Sequence, residues 1–164
     1  MLFLLVGLAF QTAATGAPAI EPATYLDFFH ETARQVDNPI HGYLNGIPPE
    51  VTKPAVSDIL GISHEEAGKL LQIAPLCVAD IDRLEEQGRA LIFRSRLERA
   101  DTGQISEATS ERLKELEARR AAIVLTHVQQ MKIALGESTF RHLEDYIRVH
   151  AGHGFFPAAV QKPI

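Results

Sequence analysis

The chain has 164 residues, and its first 19 carry no charged side chain, so all 16 Lys and Arg and all 21 Asp and Glu fall in the part that follows. That length accommodates one domain, and 46% hydrophobic with 23% charged residues is the balance of a folded chain that can bury a core, not of a disordered acidic tail. A net charge of −5 argues against nucleic acid or an anionic membrane surface as a main partner, and a single cysteine excludes an internal disulfide and any cysteine-rich zinc site.

Residues 1–19 have the layout of a secretory signal peptide: an apolar run from Leu2 to Phe10, broken by Gly7, then small and polar residues to Ala19. The run is too short to span a bilayer, which takes ~20 helical residues. Ala17-Pro18-Ala19 suggests cleavage after Ala19, with Gly16 as the alternative. No Lys or Arg precedes the run, so either the start is internal to a longer product or the signal is atypical; a buried N-terminal helix is the competing reading. The signal reading implies a periplasmic or secreted protein, with no membrane span in the mature chain.

Residues 20–61 are expected to hold a first helix and a proline-rich strap. Glu21 to Val36 has Pro22 in its first turn, and Tyr25, Phe29, Ala33 and Val36 recur at helical spacing. From Asp37 to Lys53, three prolines and two glycines rule out regular structure. Pro54 to Leu60 forms a short helix that Gly61 stops.

Residues 62–151 are expected to form a helical hairpin plus a last helix. Ile62-Ser63-His64-Glu65-Glu66 combines an apolar staple, a hydroxyl cap and a glutamate that can bond back to the cap's own N–H. From Leu70, the residues Ala74, Cys77, Ile81, Leu84, Gly88, Leu91 and Ser95 alternate in spacings of four and three, the seam of a helix packed lengthwise on an antiparallel partner. Pro75 inside this pattern predicts a kink, and Gly103 a stop. The second long helix runs from Ser106 to Leu135 on a seam of Leu113, Ala121, Val124, Val128, Met131 and Leu135. Gly136 ends it, and Ser138 is the expected cap of a last helix whose face is Phe140, Leu143, Ile147 and His150. Residues 152–164 are expected to be a loose tail. The fold class is all-α: a long antiparallel helical hairpin with shorter flanking helices across it.

Few chemistries survive a test against these elements. Gly103-Gln104-Ile105-Ser106 resembles the middle of a calcium loop, but the register puts Glu98, Ala100, Thr102 and Thr109 at the ligand positions, which supplies a single carboxylate. Cys77 lies on an apolar seam, where a thiol is inert. No nucleophile elbow or phosphate loop is present, and the alternating carboxylates and arginines between Asp80 and Glu117 form pairs such as Glu85 with Arg89 and Glu115 with Arg119 on a solvated helix face. No residue justifies a catalytic label, so the expected protein is not an enzyme and needs no cofactor. His142, His150 and His153 are the candidate ligands for a transition metal, against the alternative of ordinary surface histidines. Arg89, Leu91, Ile92, Phe93, Arg96, Leu97 and Arg99 mix positive charge with apolar area and are the candidate surface for holding unfolded or acidic protein segments; alternatively, the arginine stems merely cover the hairpin's edge.

This organisation resembles the Spy/CpxP class of small periplasmic helical proteins, which share a signal peptide, a helical hairpin and two Leu-Thr-x-x-Gln boxes. The stretch Ile62 to Glu66 reproduces each role of the first box, whereas of the second only Leu135 remains in Leu135-Gly136-Glu137-Ser138-Thr139. The resemblance covers roughly Ile62 to Ile147 and implies a homodimeric cradle acting without ATP as an envelope-stress chaperone, or in some relatives as a metal-responsive protein. A non-enzymatic envelope protein that holds unfolded proteins is therefore the leading expectation. A metal-binding or metal-sensing protein and a helical adaptor for one fixed partner are the alternatives.

Overall fold

A computed structural model of the chain describes residues 18–36 and 55–156, and these form five helices with no strand among them. The all-α expectation holds. The apolar N-terminal run up to residue 17 and the strap from Asp37 to Lys53 lie outside the described residues. Helix α1 is Pro22–Val36, and its opening proline occupies a position where the missing N–H would have had no intrahelical partner. Its buried face is Tyr25, Leu26, Phe28, Phe29 and Thr32, wider than the expected stripe because Leu26 and Phe28 also turn inward, while Val36 is largely exposed. Helix α2, Val56–Leu60, stops at Gly61, whose φ of 64° is the left-handed conformation that glycine adopts without strain.

Helix α3, His64–Thr102, begins with the anticipated capping box. The Ser63 hydroxyl accepts the Glu66 N–H at 3.2 Å, and the Glu66 carboxylate accepts the Ser63 N–H at 2.8 Å. The glutamate's other oxygen accepts the Thr139 hydroxyl at 2.6 Å, so one side chain both starts α3 and ties it to the last helix. The helix remains continuous through Pro75 and ends at Gly103, φ 74°. Helix α4, Glu107–Leu135, is capped by the Ser106 hydroxyl, which accepts the Thr109 N–H at 3.3 Å. Between the helices, Glu98 acts as a knot: its carboxylate accepts the Ser106 N–H at 2.9 Å, the Ser106 hydroxyl at 3.0 Å and the Thr109 hydroxyl at 2.8 Å. The oxygens proposed for a calcium loop are thus spent on closing the hairpin.

Helix α5, Glu137–His150, follows α4 with one residue between them. The expectation that Ser138 caps α5 is corrected: Gly136, at φ 79° and ψ 161°, ends α4 and starts α5, and Ser138 lies inside the first turn. This backbone conformation is essentially reserved for glycine. The expectation of a loose tail from Gly152 is also corrected over 152–156. Phe155 is buried with its ring edge-on to Phe28 at 5.3 Å; its N–H donates to Glu31 at 2.8 Å, and its carbonyl accepts the Tyr146 hydroxyl. Residues 157–164 lie outside the described residues.

The core joins α1, α2, α5 and Phe155 to only one end of the hairpin. Its hairpin members are Leu70, Ala74, Cys77 and Ile81 on α3 and Val124, Met131 and Leu135 on α4. From Leu84 to Thr102, about 28 Å of helix at ~1.5 Å per residue, no residue joins that core cluster, and the same is true of α4 before Ile123. The molecule is therefore a four-helix head, braced by the short α2, that bears a two-helix arm. Along the arm the helices close on each other through Leu84, Gly88, Ser95 and Thr109, all buried, with a Leu116 methyl filling the space beside Gly88. Among the described residues, no helix is long and apolar enough to cross a membrane.

Candidate functional site

The structure separates the seven residues expected on the client-binding surface into two sets. Phe93 and Leu97 point away from α4, 63% and 48% exposed, with Arg89 and Arg96 beside them and also exposed. Leu91 and Ile92 turn toward the arm's seam and are half-buried, and Arg99, one heptad on from Ile92, stands exposed at the same edge. The outward set is therefore Arg89, Phe93, Arg96 and Leu97, joined by Arg94, which the sequence reading left out and which is likewise exposed.

The charge on this stretch is unbalanced. Residues 87–97 contain three arginines and no carboxylate. Arg89 reaches back to Glu86, while Arg94, Arg96 and Arg99 form no ion pair among the described residues. The expected Glu85–Arg89 pairing is replaced by a bridge across the arm from Glu85 to Arg120 at 3.6 Å. Glu98, the first acid beyond the stretch, is engaged inward; its hydrogen bonds from Ser106 and Thr109 hold its carboxyl below the ordinary range. The outcome is a positively charged, partly apolar strip on a protein whose net charge is negative.

The histidines are placed apart. His142 bonds through Nε2 to the Leu60 carbonyl at 2.9 Å, and its ring sits over Gly61, where a Cβ would come within 3.2 Å of it. His150 bonds through Nδ1 to the Tyr146 carbonyl at 2.8 Å and stacks on the Tyr146 ring at 4.0 Å. A carbonyl only accepts, so each of these nitrogens carries its proton, and one nitrogen per ring remains for other use. The two residues are eight positions apart on α5, about 12 Å along the axis, and His153 lies exposed in the turn beyond. Among the described residues, no group of three or more His, Cys, Asp or Glu side chains converges as metal ligands would.

A histidine that the sequence reading overlooked is buried. His127 faces α3, 5% exposed, with Nε2 3.0 Å from Asp80 and Nδ1 without a partner among the described residues. Its position three residues after Val124 on the seam was the available signal. Cys77, one turn before Asp80, is fully buried; burial, with the Asp80 charge as a smaller cause, pushes its thiol up to about 12, so it is no nucleophile at neutral pH. A groove of about 400 Å³ between α1 and the 152–155 turn is lined by Asp27, His30, Glu31, Arg34 and Phe155. Glu31 is already committed there to the Phe155 N–H. Compared with family models, with characterised proteins and with solved structures, the chain matches none.

Proposed function

We propose that this chain is a non-enzymatic protein-binding module of the cell envelope, periplasmic or secreted, and that its arm holds other polypeptides without ATP in the manner of a chaperone. The observation that carries the reading is Phe93 and Leu97, exposed on an arm that the core does not reach, among arginines of which Arg89 alone has an ion-pair partner in the described residues. Apolar area of this kind on a soluble protein is a mark of an interaction surface, and long arginine side chains around it adapt to varied partners. A relationship to the Spy/CpxP class accords with the helical hairpin and the Ser63 capping box, and it belongs to the same proposal.

The test is light scattering of a denatured model client diluted into buffer with increasing amounts of the mature chain, in the presence of a chelator. Suppression of aggregation near equal stoichiometry, weakened by Phe93→Ala with Leu97→Ala, is the expected result. A folded, helical chain that leaves aggregation unchanged overturns the holding role.

A further inference from the structure

Residues 152–156 sit in the head as a short peptide sits in a cleft. They follow the end of α5 with no helical structure of their own and turn through Gly152 and Gly154, at φ 80° and 86°. Two helices hold both main-chain groups of one residue: the Phe155 N–H donates to Glu31 of α1 at 2.8 Å, and its carbonyl accepts the Tyr146 hydroxyl of α5. Phe28 receives two aromatic rings, Phe155 edge-on at 5.3 Å and Phe156 stacked at 6.3 Å. Main-chain bonds together with seats for side chains are the means by which a cleft holds a peptide. The walls are tied to each other independently of what lies between them. The Tyr25 hydroxyl donates to Glu144 at 2.6 Å and joins α1 to α5 directly, and Leu143 and Ile147 of α5 share the core cluster with Phe28 and Phe29. Beside the seated segment the groove of about 400 Å³ remains open, bounded on α1 by Asp27, His30 and Arg34.

We infer that this cleft is a second polypeptide-binding site, for a segment with two adjacent aromatic residues in an unfolded client, and that residues 152–156 fill it in cis as an autoinhibitory plug. The inference adds a site to the protein-binding reading above and rests on that reading. What the cleft now holds specifies the occupant: an aromatic residue whose N–H meets the Glu31 carboxylate, followed directly by a second ring that stacks on Phe28. A proline at the first position lacks that N–H and is excluded. Large aromatic side chains are mostly buried in folded proteins and accessible in unfolded ones, so the cleft selects unfolded chains. A client segment and the plug compete for the same contacts, and the site is available only in the fraction of molecules that the plug has left.

The probe is a fluorescein-labelled peptide with the sequence of residues 152–156, Gly-His-Gly-Phe-Phe, amidated at its C-terminus, compared with the same peptide carrying alanine for both phenylalanines. Both are titrated by anisotropy against the full chain, unaltered and with Phe155→Ala plus Phe156→Ala, which removes the rings of the plug and keeps the residues of the walls. The aromatic peptide is expected to bind the double variant at least about tenfold more tightly than the unaltered chain, because the plug no longer limits the share of open sites. Glu31→Ala in the double variant is expected to weaken the aromatic peptide, and the alanine peptide to bind none of the chains. Circular dichroism verifies that the variants stay helical. If the double variant unfolds, Phe156→Ala alone, at a half-buried ring, carries the comparison, again with tighter binding than to the unaltered chain as the expected result. Equal binding to plugged and unplugged chains, equal binding of the two peptides, or no binding of the aromatic peptide to a helical variant would overturn the inference. Such a result with a chain that suppresses client aggregation overturns this inference alone, whereas failure in both assays removes the protein-binding reading as well.

Discussion

Replacement of Phe155 by alanine tests whether the end of the chain is part of the core. The ring is 3% exposed and packs edge-on against Phe28, itself fully buried and stacked on Phe156 at 6.3 Å. A phenylalanine that buries ~150 Å² or more, at ~25 cal/mol per Å², contributes roughly 4 kcal/mol, and the edge-to-face pair adds about 1. Alanine retains part of that area, and a site near the chain end can close over the gap, so the net loss is set at about 3 kcal/mol, the low end for a buried Phe→Ala change. With a urea slope of about 1.5 kcal/mol per molar, the unfolding midpoint followed by circular dichroism falls by about 2 M at an unchanged slope. Val149→Ala, at a side chain 71% exposed, is the matched control and leaves the midpoint in place. A Phe155→Ala midpoint within about 0.3 M of the unaltered chain would refute the docking of 152–156 and restore the loose tail.

Three more outcomes are expected. Glu66 titrates at about 2 instead of its ordinary 4.5, chiefly through its hydrogen bonds from Ser63 and Thr139. Its folded value lies below its unfolded one, so its contribution is complete above the ordinary carboxylate range and disappears as pH falls toward 2. Glu66→Gln is thus less stable than the parent at pH 7, and the gap between their urea midpoints closes in acid; a gap independent of pH contradicts the assignment. At Gly88, a Cβ would lie 2.6 Å from a Leu116 methyl, so the ~1 kcal/mol that alanine gains over glycine in a helix is offset by displacement of that leucine. The gain emerges in a Leu116→Ala background, and equal effects of Gly88→Ala in both backgrounds would show that the helices are not in contact there. Cys77 is expected to react with a thiol reagent only in denaturant, and labelling of the native chain within minutes would exclude the burial described.

The elements legible in the sequence are those written in local chemistry. The Ser63 box, the stops at Gly61 and Gly103, and the seam from Leu70 to Ser95 each depend on residues within a turn or two of one another. Most of what was misread depends on distant partners. Phe155 is buried because Phe28 and Glu31 meet it from the opposite end of the chain, and no spacing near residue 155 announces them. Ser138 has the chemistry of a cap, yet Gly136 can turn the chain in a single residue and makes a second cap unnecessary. His127 is polar and drops out of a search for apolar seams, although the Asp80 carboxylate across the hairpin supplies the bond that allows it inside. The outward set around Phe93 was partly visible, but spacing alone did not separate it from Leu91 and Ile92, which share the stretch and turn the other way.

The pairing of the two ends also fixes an order of events for the chain as it is made. Tyr25 donates to Glu144 across 119 positions, and Phe155 to Glu31 across 124, so these two ties of α1 form only when nearly the whole chain has emerged, whereas its packing on α3 needs no residue beyond the middle of the chain. Hairpin contacts between α3 and α4 can form early, because their loop is short, while closure of the head waits for the last helix and carries the entropy of a long loop. During synthesis the part of the aromatic face of α1 that Phe155 covers, around Phe28, is therefore the last to be closed. The head is therefore assembled in two stages, α1 against α3 first, and the last helix with Phe155 over both.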